Sequence, residues 1–176
     1  IVPEEELERL LRDEAVDDET WLNLYRRAHE CLAAYDHYEI SNYALPGCEC
    51  KHNLIYWRNL EYAGFGPAAY SFLNGIRSRN HAALQDYLAD PGAKSEAIEL
   101  TDHEIRVETA VQHLRLRKGL SKNEYRKRFG SDLRKDFGPG LDRLLTRGLI
   151  EEDETTFRPT LSGFELNNEI GLTLVD

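Results

Sequence analysis

Residues 38–80 read YEISNYALPGCECKHNLIYWRNLEYAGFGPAAYSFLNGIRSRN, and this stretch decides how the rest of the chain is read. It opens with Tyr38 to Ala44, where Tyr38 and Ile40 alternate with Glu39 and Ser41 at the period of a strand. Pro46-Gly47 stops that strand. His52-Asn53-x-x-Tyr56-Trp57 follows, and then Gly64-x-Gly66-x-Ala68-Ala69-x-Ser71. A polar pair, two large aromatics and a glycine-rich turn form the lining of a ligand site rather than one face of a core. Residues 48–61 otherwise read as irregular. Asn74-Gly75 between Tyr70–Leu73 and Ile76–Ser78 predicts a β-hairpin, because both turn residues must accept positive φ. Asn80 can cap a short helix carrying Leu84, Tyr87 and Leu88, ended by Pro91-Gly92, and residues 91–100 read as a linker.

Upstream, residues 1–35 read as two helices. Pro3 with Glu4, Glu5 and Glu6 suits a helix start, and Leu7, Leu10 and Leu11 form one stripe. Asp17 or Asp18 can cap the second helix, in which Trp21, Tyr25, Ala28, Leu32 and Tyr35 recur at helical spacing. Downstream, Thr101-x-x-Glu104 and Ser121-x-x-Glu124 are two capping boxes. The first opens a helix with Val107, Val111 and Leu114 on one side. The second opens a short helix through Tyr125 and Phe129, stopped by Gly130. A third helix carries Leu141, Leu144 and Leu145, is interrupted upstream at Gly138-Pro139-Gly140, and stops at Gly148. Leu149–Glu151 and Thr156–Arg158 then read as a two-stranded wing, and Leu161–Ile170 as a last helix. Three helices with a β-hairpin make a winged-helix-like unit.

An apolar share of 41% beside 31% charged residues is that of a globular protein, and no apolar run is long enough to span a bilayer. Three cysteines do not make a disulfide framework and suit a reducing cytoplasm. The net charge of −10 speaks against nucleic-acid binding, which needs a basic footprint. The basic cluster from Arg115 to Lys135 reads as a solvated face balanced by acidic neighbours.

The central motifs resemble the radical-SAM oxygen-independent coproporphyrinogen III oxidase family, and its haem-chaperone branch in particular. There a barrel strand YEISN-[FY]-A precedes a Pro-Gly turn, HN-x-x-YW and G-x-G-x-x-A-H-S. Leu114-Arg115-Leu116, Gly119-Leu120, Gly148-Leu149-Ile150 and Gly163-Phe164-Glu165-Leu166 with Asn168-Glu169 resemble the family's C-terminal domain, so the likeness covers nearly the whole chain. Three positions depart from the pattern. Tyr70 replaces a usual His, Ala68 stands where Gly is frequent, and the Gly expected before Tyr35 is missing. The resemblance implies an α+β fold: the last helix and strand of a partial radical-SAM (β/α) barrel over residues 1–47, a connecting region with the motif and hairpin over 48–100, and a winged-helix-like domain over 101–176. It also implies S-adenosylmethionine and a [4Fe–4S] cluster in a longer parent. The three clustered cysteines that hold that cluster have no counterpart, since Cys31, Cys48 and Cys50 differ in place and spacing. With Ile1 at the start and no Met in the chain, these points predict a C-terminal fragment without radical activity of its own. The family's oxidases decarboxylate propionate side chains during haem synthesis, whereas its chaperones bind haem and deliver it to respiratory proteins. HN-x-x-YW favours the chaperone side.

The resemblance associates that motif with haem, which maps to His52, Asn53, Tyr56 and Trp57, with the His52 imidazole as iron ligand. The alternative is a structural histidine bonded to backbone; a Cys50 thiolate is a second candidate ligand. The resemblance also brings Gly64–Ser71 close to S-adenosylmethionine, with Tyr70 near the adenosine and Ala44 on the same side. The alternative there is a plain tight turn. Cys48-x-Cys50-x-His52 lacks the four ligands and pair spacing of a zinc site. Expected partners are haem or a porphyrin and a haem-receiving apoprotein. A reading from another class makes residues 101 onward a winged-helix module for a protein partner or nucleic acid. Oligomeric state is not legible.

Overall fold

The computed structural model describes residues 17–175, so the expected helix over Leu7 to Leu11 lies outside the described residues. The chain divides into two units, residues 1–36 and 37–176. In the first, Asp17 caps α1 (Asp18–Cys31) by accepting from the Thr20 amide at 2.9 Å and the Thr20 hydroxyl at 2.7 Å. The Trp21 and Tyr25 rings stack one turn apart, with centroids 5.4 Å apart. No residue of α1 is buried.

Tyr38–Ala44, expected as one strand, folds back on itself as β1 (Asp36–Glu39) and β2 (Asn42–Ala44). Two polar contacts close the turn: Asn42 Nδ2 donates to the buried Glu39 carboxylate, and His37 Nε2 donates to Ile40 O at 3.2 Å. The other edge of β1 meets the segment after α4 (Asp102–His113). The Ile40 amide donates to Arg115 O at 2.9 Å, and the Arg117 amide donates to Tyr38 O at 3.1 Å. Both edges of a short strand are thereby partnered, which a single extended segment would lack.

Residues 48–61, read as irregular, contain α2 (Lys51–Trp57). The Asn74-Gly75 hairpin forms as expected: β3 (Tyr70–Leu73) pairs antiparallel with β4 (Ile76–Asn80), and the turn residues sit at φ 52° and 76°. The expected linker carries a third strand, β5 (Lys94–Glu99), paired to β4. Asn80 does not cap the following helix α3 (Leu84–Ala89), whose N-cap is Ala83. Asn80 is instead buried beneath the glycine loop.

From Thr101 the order is α4, β6 (Leu120–Ser121), α5 (Lys122–Phe129), α6 (Leu133–Thr146), β7 (Ile150–Glu152), β8 (Thr156–Pro159), α7 (Leu161–Glu165) and α8 (Asn167–Val175). The Thr101 box forms in full, and of the second box the Ser121 hydroxyl accepts from the Glu124 amide. Gly130 ends α5 at φ 63°. The chain kinks at Phe137 inside α6, just before Pro139, where the missing N–H breaks the ladder. The sheet order β6-β8-β7 adds a third strand, β6, to the two-stranded hairpin expected from the sequence. The core lies here: Leu114, Tyr125, Leu141, Leu144, Phe157 and Ile170 are almost wholly excluded from solvent, each contributing about 1.5–3 kcal/mol by burial. Among the described residues no helix is long and apolar enough to cross a membrane.

Candidate functional site

The motif helix α2 is too short to hold itself, because isolated helices of this size do not repay nucleation. Other elements fix both of its ends. At its start the Cys50 amide donates to Tyr38 Oη at 3.3 Å, and burial pushes the Tyr38 phenol pKa up, keeping it protonated. At its end Arg128 of α5 donates to Arg58 O at 3.1 Å and Asn59 O at 2.7 Å, satisfying carbonyls that a helix end leaves bare. Asn59 turns the chain at φ 47° and donates to Thr109 Oγ1 of α4 at 3.1 Å. The C-terminal helices therefore set the position of the motif.

On α2 the exposed His52 ring and the Tyr56 ring meet edge-on, with centroids 4.9 Å apart and planes at 86°. Tyr56 in turn meets Tyr62 at 4.6 Å and 71°. Asn53 accepts from the Cys50 thiol at 3.5 Å. Trp57 is half-buried, and the Arg115 guanidinium lies over its ring at 5.1 Å, a cation–π stack.

Tyr62 is anchored to β3 by two amide–carbonyl bonds with Phe72, each 2.9 Å. The glycine loop begins immediately after it. The Gly64 amide donates to Ser71 Oγ at 2.9 Å, and a Cβ on Gly64 would stand 2.1 Å from Tyr70 O, so only glycine fits this approach. Asn80 Nδ2 donates to Gly66 O at 2.9 Å and Gly64 O at 3.3 Å, and Lys94 Nζ donates to Asn80 Oδ1 at 2.6 Å. The Gly66 amide donates to Tyr87 Oη at 3.0 Å. No helix follows this loop, so a dinucleotide-binding turn is not built here. Ala68 holds a left-handed φ of 59°.

Two neighbouring arginines of β4 differ. Arg77 makes a bidentate pair with Glu108 at 2.7 and 2.8 Å, tying the sheet to α4, and this pair raises the Arg77 pKa. Arg79 lies over the Tyr70 ring at 5.4 Å, and its Nε is buried without a hydrogen-bond partner. Nε of Arg115 and Nε1 of Trp57 share that condition.

Of the residues singled out in the sequence, the structure brings His52, Asn53, Tyr56 and Trp57 onto one short helix. Ala44 closes β2 and the exposed Tyr70 opens β3. The motif's true supports, Tyr62, Arg115 and Arg128, were not singled out as site residues. The two arginines were visible only as members of the basic cluster from Arg115 to Lys135, and Tyr62 gave no signal. Among the described residues no three His, Cys, Asp or Glu side chains stand together for a metal, and all three cysteines are exposed thiols. The exposed imidazole is free to donate a lone pair to a metal that a ligand brings with it.

Comparison with known proteins gives the same direction throughout. Residues 100–166 match the family model of the HemN C-terminal domain. The chain is 34% identical over 152 residues to the haem chaperone HemW of Lactococcus lactis, covering 84% of this chain and 40% of that protein. It is 36% identical over 138 residues to HemW of Bacillus subtilis, covering 76% of this chain and 36% of that protein. The chain thus spans well under half the length of these relatives. A solved structure of coproporphyrinogen III oxidase HemN from Escherichia coli, described as a radical SAM enzyme, superposes with a TM-score of 0.69 at 17% identity, over 90% of this chain and 42% of that one.

Proposed function

The chain belongs to the HemN/HemW family and carries that family's C-terminal domain, and on that premise we propose that it supplies the haem- or porphyrin-binding surface of a radical-SAM haem chaperone or coproporphyrinogen III oxidase-like protein. The observation that carries this reading is His52, exposed on a helix whose two ends are fixed from outside, with its ring steadied against the Tyr56 edge. When bound, haem supplies the redox and ligand-accepting chemistry of its iron. This chain's part is to offer the His52 nitrogen, hold Asn53 and the Tyr56 and Trp57 rings beside it, and keep α2 from fraying. The glycine loop, with Tyr70 and with Ala44 on β2, is the side turned to S-adenosylmethionine in a longer protein.

The residues present do not fit a [4Fe–4S] cluster. Cys31, Cys48 and Cys50 are exposed, and the described residues form no three-ligand group, so no radical step is derived for this chain. Exposed thiols suit a reducing cytoplasm.

The order helix, strand, helix, helix and wing from Thr101 supports a winged-helix-like domain, which we assign to docking a haem-receiving apoprotein rather than nucleic acid. Arg134 on α6 is held by Asp142 and Glu152, and Arg126 by Asp132, so these two cations of the cluster are already paired.

Haemin titration followed at the Soret band, run beside His52→Ala, tests the proposal. A saturable shift that the variant loses supports it. Equal shifts in both proteins remove His52 as ligand, and no shift in either removes the surface.

A further inference from the structure

Trp57 and Arg115 bury two hydrogen-bond donors side by side, and among the described residues neither has an acceptor. The Arg115 guanidinium lies 5.1 Å from the Trp57 ring centroid, and neither Arg115 Nε nor Trp57 Nε1 has a partner. Buried N–H groups are nearly always paired, and leaving one unmet is costly, so two such groups in contact call for an acceptor that the described residues do not supply.

Strand alternation determines what that acceptor can be. Glu39 is the Cα partner of Leu116 across an antiparallel bridge, so the Glu39 side chain shares the face of Leu116. Arg115 and Tyr38, one residue along on each side, point to the opposite face, where Tyr38 meets the Cys50 amide and Arg115 meets Trp57. Glu39 Oε1 accepts from Asn42, and Oε2, buried without a partner of its own, lies with it on the Leu116 face, away from Arg115. Arg77, by contrast, has its carboxylate in Glu108. Arg115 has no such partner among the described residues.

We propose that Trp57 and Arg115 form a subsite for a carboxylate of the ligand, so that the site selects a tetrapyrrole bearing free acid side chains. This rests on the porphyrin reading above and adds the group by which the ligand is read. A guanidinium fork matches a carboxylate geometrically, and the indole N–H adds a donor beside it. Gln112 Oε1, on the last turn of α4, is also buried and unpartnered and is the internal alternative acceptor.

The test uses iron-free protoporphyrin IX, which needs no axial histidine, and its dimethyl ester. Trp21 and Trp57 are the two tryptophans, so in a Trp21→Phe background emission reports Trp57 alone. The diacid is expected to quench Trp57 and to bind at least about tenfold more tightly than the ester, a gap of about 1.4 kcal/mol. Arg115→Met, which keeps the stem packed on the ring, should abolish that gap by weakening the diacid alone. Arg115→Lys should fall between, and Gln112→Leu should leave the gap intact. Equal binding of diacid and ester by the parent, equal weakening of both by Arg115→Met, a gap lost on Gln112→Leu, or no quenching by either porphyrin overturns the proposal. A haemin Soret shift that depends on His52 but ignores Arg115 would leave the function standing and remove this subsite.

Discussion

Asn80 Nδ2 donates to Gly66 O at 2.9 Å from a side chain that is only 1% exposed. One amide thus holds both glycine carbonyls of the loop while its own oxygen accepts from Lys94. Replacing Asn80 with Ala leaves those carbonyls without their donor, at a cost of about 2–3 kcal/mol. Urea unfolding of the two proteins measures it, and a change within error would show the loop to be held by other means.

The same loop contains one glycine that cannot be replaced and one alanine in a backbone conformation that favours glycine. A Cβ on Gly64 collides with Tyr70 O, so Gly64→Ala should destabilise by about 2–3 kcal/mol. Ala68 sits at φ 59°, where a Cβ is strained, so Ala68→Gly should stabilise by about 0.5–1 kcal/mol. Thermal unfolding of both variants should give shifts of opposite sign.

Asp136 joins three elements by accepting from Tyr125 Oη at 2.6 Å, Ser131 Oγ at 2.7 Å and Arg106 at 3.0 Å. Burial pushes its carboxyl up, but these donors outweigh burial and hold the pKa below the ordinary carboxylate value. The folded pKa is depressed, so the stabilisation is complete above about pH 4 and is lost as pH falls through the folded value. Asp136→Asn should cost about 1.5–3 kcal/mol at pH 7, with the gap to the parent narrowing below about pH 4. A gap constant with pH would show that the charge is not involved.

His113 gives a second pH effect at higher pH. Burial lowers its pKa, and Nδ1 donates to Thr109 O at 2.8 Å. The neutral ring is favoured in the folded state, so stability is complete above about pH 6.5 and declines as pH falls below it. Unfolding free energies between pH 7 and pH 5 should fall less steeply in His113→Gln than in the parent.

Legibility followed how far each signal was local. The Asn74-Gly75 hairpin, the Thr101 box and the Asp17 cap were visible because each is decided within four residues. The sequence LysSerGluAlaIleGlu of β5 has no alternation, since every residue of that edge strand is exposed, so it read as a linker. Helix α2 went unread because it lacks a side-chain cap and is held by Tyr38 and Arg128, the latter about seventy residues away in sequence. His52, Asn53, Tyr56 and Trp57 were visible as a motif, but Arg115 was not visible as its neighbour, nor Asn80 as the support of the glycine loop. Their positions depend on strand pairing and on the path of the loop.

The central claim is that His52 offers its nitrogen to a haem iron from a helix held in place by the rest of the domain. The most direct measurement is the haemin spectrum of His52→Gly with and without added imidazole. The account predicts a protein-induced Soret shift that the variant loses and that imidazole restores by filling the space the side chain leaves. A variant whose haemin spectrum matches that of the parent, or one that imidazole fails to restore, would contradict it.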